Sequence, residues 1–289
     1  MGSAPRVTTI SSLEEYVRAI NGIARNNERV MLFRGHAERG DYQPLPAIYR
    51  EPEYIQNESE LIRESIARSP DDFAPDANFL EQLVRLQHYG LPTRLLDVTF
   101  NALAALFFAC MNKEKTEGEV VVFSIPREEF RYYDSDKVAL LCALSNRPDS
   151  FDLNALSDNF DDFNKEEDIL RLVHDVRGDK PGFEPKVLKE DLRRIVCVQP
   201  KLSNKRIARQ DGAFLLFGVD GQKDQCPNIP SDWIARGVGK KRIVFTKKHH
   251  LKTELKRFGI AKHTLFPELD NQTEYVMQRF KEKYKHGAK

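Results

Sequence analysis

The chain has 289 residues, 40% of them hydrophobic and 31% charged, with 15 glycines and 15 prolines. That balance is ordinary for a globular protein and excludes collagen-like, fibrous and wholly disordered chains. The 45 basic and 44 acidic side chains leave a net charge of +1, so no global field draws the chain to nucleic acid or to an anionic membrane.

Residues 1–9 read as a loose tail. Ser11 or Ser12 caps a helix with an acidic residue three positions on, and Leu13, Tyr16, Val17 and Ile20 follow at helical spacing. A strand is expected over Arg29–Phe33, ending at Arg34-Gly35, and a loop over 36–52. Helices follow at about Glu58–Arg68, broken by Ser69-Pro70, and at Ala77–Tyr89, stopped by Gly90. The polar run Leu91–Thr99 then enters an almost wholly apolar helix, Asn101–Met111, which has to be buried. Asp97 or Thr99 would cap it.

Glu119–Ile125 is a Val-rich strand. Between about 127 and 180 the chain reads as helical and polar, an exposed insertion or a helix-loop-helix, whose stretch Asp149–Asp168 carries eight acids and one lysine. Arg194–Gln199, Ala213–Phe217 and Lys241–Thr246 read as strands, and Asn204–Gln210 as a turn or short helix. Helices are expected at His249–Phe258 and Leu269–Tyr284, with a frayed end at 285–289. Strands and helices do not alternate regularly, which argues against a doubly wound parallel sheet. The expectation is one domain over 10–284, of α+β class. It has a small mixed, mostly antiparallel sheet flanked by helices, and a helical insertion at about 127–180.

Cys110, Cys142, Cys197 and Cys226 are widely separated, with neither zinc spacing nor a disulfide pattern. A reduced, cytoplasmic setting is expected. The longest apolar stretch, Ala102–Met111, has ten residues, against about 20 for a membrane span, so no membrane partner is expected. No metal-ligand spacing, Walker A loop, Gly-x-Gly-x-x-Gly or nucleophile elbow is present. The sequence leaves the oligomeric state open.

Three stretches carry candidate chemistry. In Phe33-Arg34-Gly35-His36, a strand-end guanidinium stands beside a glycine that a ligand can approach; such an Arg binds phosphate bidentately or pairs with a buried Asp. In Gln87–Thr99, Gly90 and Pro92 fix a turn, and His88, Tyr89, Arg94, Asp97 and Thr99 supply polar tips at the mouth of a buried helix. There the alternative is that Asp97 pairs with Arg94 and Thr99 only caps. Asn204–Phe214 is basic, then turns through Asp211-Gly212 into an apolar strand, with Arg209 and Gln210 facing a cleft or solvent. A further basic stretch, Lys240–Arg257, has eight Lys/Arg against Glu254, which suits a solvated face or a phosphate-binding one.

Phe33-Arg34-Gly35, the run Gln87–Asp97 with its following helix, Arg206–Phe214, and Phe258-Gly259-Ile260 with Thr264–Asp270 together resemble the FRG domain family over about residues 29–272. Val98 stands where that family often has Trp. A more distant similarity is to the ADP-ribosyltransferase fold, with Arg34, the Asp97-Val98-Thr99 segment and Gln210 at its three motif positions. That similarity implies an ADP-ribosyltransferase-like architecture, NAD as cofactor, and transfer of ADP-ribose or hydrolysis of NAD. Arg34, Thr99 and Gln210 would be the catalytic set. Arg34, Gly35, His88, Tyr89, Arg94, Asp97, Thr99 and Arg209 would hold the nucleotide. The acceptor would be a protein or nucleic acid; the setting implied by the FRG resemblance is bacterial or phage stress or defence. A neutral Gln210 stabilises an oxocarbenium-like centre less well than a carboxylate, which leaves Asp97 or Asp211 to supply the charge. The competing reading is a nucleic-acid-binding or defence-associated interaction module without catalysis, carried by the basic segments 186–209 and 240–257, with Lys205, Arg206, Lys241, Lys247, Lys248 and Lys252 merging into one surface.

Overall fold

Among the described residues of the computed structural model, which are 8–24, 26–40, 44–73, 78–111, 114–235 and 242–287, eight strands join one sheet. They are β1 (Thr8–Ile10), β2 (Arg29–His36), β3 (Leu95–Thr99), β4 (Gly118–Pro126), β5 (Phe130–Tyr132), β6 (Ile195–Gln199), β7 (Gly212–Phe217) and β8 (Arg242–Phe245). Their order across the sheet is β1-β8-β4-β2-β3-β7-β6-β5. The β1–β8 and β5–β6 pairs are parallel, and the other pairs are antiparallel. The first helices are α1 (Leu13–Asn21), α2 (Pro52–Gln56), α3 (Glu58–Arg68), α4 (Phe79–His88) and α5 (Ala102–Cys110). After them come α6 (Asp136–Ala143), α7 (Phe160–Phe163), α8 (Glu167–Asp179), α9 (Lys189–Leu192) and α10 (Lys205–Gln210). The chain closes with α11 (Lys248–Arg257), α12 (Lys262–Leu265) and α13 (Leu269–Gly287).

Strand alternation sorts the core onto two faces. Phe33, Val120 and Val122 pack under α5, α11 and α1. Leu95, Val196, Phe214 and Leu216 pack under α4, α6 and α8. Phe33 pairs with Thr99 and Asp97 with Phe214 across the strands, which places both clusters on one face. Leu32, Leu96, Val121, Phe123 and Leu215 face the other way, against Trp233 and Tyr49.

Helix α5 is apolar on every side and almost wholly buried, as its sequence requires. Its cap is Asn101, whose side chain accepts from the amides of Leu103 and Ala104 at 2.9 and 3.1 Å. Asp97 and Thr99 do not cap it; they lie inside β3, a strand that the polar entry segment conceals. Alanines at 102, 104, 105 and 109 bring α5 close to β2. A β-carbon on Gly35 would sit 1.9 Å from the Ala105 carbonyl oxygen. We expect Gly35→Ala to destabilise the fold by about 3 kcal/mol, at the upper end for an overpacked core, read as a lowered urea midpoint.

Other expectations are corrected. The sheet is not small, because β3 and the short strands β1 and β5 join it; Thr8 and Thr9 belong to β1 rather than to a loose tail. The 36–52 loop is shortened by His36, which remains in β2, and contains a 3-10 turn at Ala47–Tyr49. The segment at 127–180 is helical but not an exposed insertion. Its apolar residues Val138, Leu141, Phe151, Phe163, Ile169 and Leu172 fill the largest core cluster. Its acids stay at the surface and neutralise lysines there, as in Asp158 with Lys189 at 2.7 Å. The last helix runs on to Gly287, and residues 1–7, 288 and 289 lie outside the described residues.

At the end of the central strands, where β3 begins and β7 stops, lies a sealed charge cluster. Arg94 and Glu58 are fully buried, with guanidinium-to-carboxylate contacts of 2.7 and 2.9 Å. Arg94 also donates to Tyr49 Oη and to the Gly218 carbonyl. Lys223, likewise buried, lies 3.5 Å from Glu58 and donates to the Arg147 carbonyl. Burial pushes the Lys223 ammonium down to about 8, with the Glu58 carboxylate opposing the shift. Between that value and its ordinary 10.5, the unfolded chain holds a proton that the folded chain releases, so stability rises with pH. Urea melts from about pH 8 to 10 should show wild type gaining stability relative to Lys223→Met across this window.

Candidate functional site

The helices over the sheet leave a gap between α5 on one side and α4 with α10 on the other. In this gap β2 and β3, the two central strands, pair through Phe33 and Thr99 alone. Beyond that pair the strands are not bonded to each other, and Arg34 bridges them: its Nη1 donates to the Asp97 carbonyl at 2.5 Å. Asp97 thus sits mid-sheet with buried residues on either side in sequence, yet its side chain is 67% exposed. A charged, open side chain at the centre of an eight-stranded sheet is the feature that packing alone does not explain.

The hollow above it measures about 270 Å³. Its floor is Phe33, Gly35, Asp97, Thr99, Gly212 and Phe214, and its walls are Phe108 of α5 with Arg206, Ile207 and Gln210 of α10. Arg34 also reaches it. Two cations, one carboxylate and three aromatic rings therefore converge on one concavity.

Each polar group is held by identifiable partners. Arg34 Nε donates to His36 Nε2 at 2.9 Å, which leaves His36 Nδ1 to donate to Glu119 at 3.0 Å. His36 and Glu119 are cross-strand partners and both are buried, so they fix the guanidinium from behind. Arg34 Nη1 stands 3.8 Å from the Asp97 carboxylate. The Thr99 hydroxyl donates to the Gln210 carbonyl at 2.6 Å and accepts from the Asn101 amide at 2.9 Å. It pins the end of α10 to the sheet and so holds the wall. Gln210 ends α10, as the turn or short helix expected over Asn204–Gln210 requires, and Asp211, at φ 49°, turns the chain into β7. The Gln210 Nε2 donates to the Leu265 carbonyl at 3.1 Å. Arg206 lies over the Phe266 ring, 4.6 Å from its centre, and among the described residues no carboxylate pairs with it.

The sequence-derived candidates divide accordingly. Arg34, Gly35, Asp97, Thr99 and Gln210 meet in the hollow, although Gly35 is there to admit α5 and not a ligand. His88 is half-buried near the rim, 3.9 Å from Glu268, and its imidazole is held below its usual range by burial and by the Arg206 charge. Tyr89 lines a separate hollow of about 550 Å³ beside α3. Arg209 is exposed and does not line the cavity. Arg94 is corrected outright: it pairs with Glu58 in the core, not with Asp97 or a ligand. A hollow of about 420 Å³ on the far side of Ile207 has both its cations committed, Lys201 to Glu81 and Arg85 to Asp72.

Arg206, Phe108 and Phe214 do not stand out in the sequence as pocket residues, since a basic turn and two core-like phenylalanines look like surface and filling. Glu119 is equally hidden, because only the strand register sets it beside His36. The basic patch does not assemble as expected. Lys248 is buried against the Ala37 carbonyl, Lys252 pairs with Glu114, and Lys241 lies outside the described residues. In the other basic segment, Lys186, Lys189, Arg193, Arg194 and Lys201 all have carboxylate partners.

Among the described residues no group of three or more His, Cys, Asp or Glu side chains could share a metal ion, and no helix is long and apolar enough to cross a membrane. Residues 29–118 match the family model of the FRG domain. The match takes in β2, β3 and α5, which form part of the floor and one wall of the hollow; β7, which completes the floor with Gly212 and Phe214, and α10 lie outside it. No curated protein and no solved structure matches the chain.

Proposed function

We propose that the hollow over Asp97 binds a nucleotide of the NAD class and breaks its nicotinamide–ribose bond, passing ADP-ribose to water or to a macromolecular acceptor. The observation that carries this reading is the exposed Asp97 carboxylate at mid-sheet, ringed by Arg34, Arg206 and three phenylalanines. Guanidinium groups suit phosphate oxygens, and aromatic faces suit a nicotinamide or a base. About 270 Å³ falls at the small end of ligand sites. It admits the nicotinamide–ribose end while the rest of the dinucleotide leaves through the open mouth.

The chemistry follows from charge placement. As the C–N bond breaks, its electron pair leaves with the nicotinamide nitrogen, and positive charge spreads over the ribose C1′ and ring oxygen. A fixed carboxylate stabilises that charge. Asp97 fills this role; Gln210 is neutral and Asp211 does not line the hollow. Arg206 holds a phosphate, and the Arg34–His36–Glu119 chain keeps the floor rigid. Water or an acceptor hydroxyl or amine then adds to C1′ and gives up its proton. The test is incubation of the purified protein with NAD, following free nicotinamide and modified protein or nucleic acid by mass. Release above the spontaneous rate is the expected result. No release and no NAD binding at millimolar concentration would reject the reading.

A further inference from the structure

We infer that His88 and Glu268 hold the attacking nucleophile at the rim of the hollow, and that His88 takes its proton; the inference rests on the reading of the hollow given above. The two residues come from distant parts of the chain, the end of α4 and the segment before α13, yet His88 Nε2 stands 3.9 Å from Glu268 Oε1. Residues 265–268 bridge the gap that contains the hollow. The Leu265 carbonyl accepts from Gln210 of α10. The Phe266 ring packs edge-on against Phe108 of α5, with centres 5.8 Å apart, and carries the Arg206 guanidinium. Glu268 then reaches α4 and stands against His88. Phe108, Arg206 and Gln210 all line the hollow, so the pair closes the same rim on the α4 side. Asn271 Nδ2 donates to Glu268 Oε2 at 3.2 Å and leaves Oε1 turned to His88.

The spacing decides what the pair does. At 3.9 Å the two atoms are too far apart to hydrogen-bond each other. Two acceptors at that separation suit one water molecule, which donates to each at about 2.8 Å. With its proton on Nδ1, neutral His88 accepts at Nε2, and an ionised Glu268 accepts at either oxygen. The lone pairs of the water then point away from the pair and are free for C1′. The imidazole is neutral near pH 7 because burial disfavours its charge and Arg206 and Arg85 repel it, against the opposing pull of Glu268. As nicotinamide leaves with the C–N electron pair, the water oxygen bonds C1′. Its proton passes to His88 Nε2 and from there to solvent, and the products are nicotinamide and ADP-ribose. An acceptor hydroxyl or amine loses its proton by the same route.

The test is nicotinamide release from NAD by His88→Gln across the histidine titration range, with and without sodium azide, an anionic nucleophile that needs no proton removed. At neutral pH the variant should release nicotinamide about 100-fold more slowly than wild type, the low end for loss of a general base, with NAD affinity unchanged. Wild type should lose activity as pH falls below the usual histidine range, because protonated His88 accepts no proton, and His88→Gln should lack this limb. Glu268→Gln should move the limb to still lower pH, since it removes the charge that favours the imidazolium. Azide should restore release in His88→Gln. Three results overturn the inference and leave the reading of the hollow standing: wild-type turnover in His88→Gln, an unmoved acid limb in that variant, or a loss that azide does not repair. A wild-type protein that neither binds NAD nor releases nicotinamide removes both.

Discussion

Glu58→Ala should lower stability by about 3–5 kcal/mol, the range for stripping one partner from a buried ion pair, and so lower the melting temperature by on the order of 10 °C. The size comes from what stays behind. Arg94 would keep its charge at 0% exposure, with only the Tyr49 hydroxyl and the Gly218 carbonyl as acceptors. Lys223 would lose its one carboxylate. Arg94→Met should be less damaging than Glu58→Ala, because it leaves Glu58 with Lys223 nearby. Glu58→Leu combined with Arg94→Met should recover most of the loss, since apolar replacement of a whole buried pair is often close to neutral. Thermal scans of the three variants decide it. Equal, small losses for both single substitutions would mean that the cluster is solvated and not sealed.

The same cluster shows where sequence reading stops. Arg94 sits in a run of polar residues at a turn, next to Asp97, and local spacing makes those two natural partners. The actual partner, Glu58, is one acid among several at the start of α3, and only the packing of α3 against the sheet selects it. By contrast the burial of α5 is legible, because a helix that is apolar on every side has no face to turn to water. That a glycine at position 35 admits close approach is legible too, but only the fold shows that the approaching group is α5. The strands β2, β4, β6 and β7 are visible from their Val, Ile and Phe runs. The strand β3 is not, because its exposed Asp97 and polar approach imitate a helix entry. The acidic segment at 127–180 misleads for the opposite reason: its surface charges dominate the composition, while widely spaced residues such as Phe151, Phe163 and Leu172 carry the core. For the site, three separate motifs point to Arg34, Asp97, Thr99 and Gln210. They do not reveal that the Thr99 hydroxyl is tied to the Gln210 carbonyl and the Gln210 amide to Leu265, nor that Arg206 faces the same space.

Asp97→Asn should reduce nicotinamide release by about 100-fold or more, the scale of losing one electrostatic stabiliser of a transition state, with a melting temperature within about 1 °C of wild type. The two readouts separate because the side chain is two-thirds exposed at 67%, while its structural tie to Arg34 runs through the main-chain carbonyl, which the substitution keeps. Asparagine also preserves shape, so binding of NAD should change little and the loss should fall on turnover. Arg206→Ala should do the reverse. Removing a charge-assisted contact to phosphate costs about 1.5–3 kcal/mol, so NAD affinity should weaken roughly 10- to 100-fold, while the saturated rate falls less. Calorimetric titration with NAD and steady-state nicotinamide release, run on both variants, give the four numbers needed. Turnover in Asp97→Asn equal to wild type would remove the carboxylate from the reaction, even if the hollow still bound the nucleotide. Unchanged affinity in Arg206→Ala would place the phosphate elsewhere along the rim.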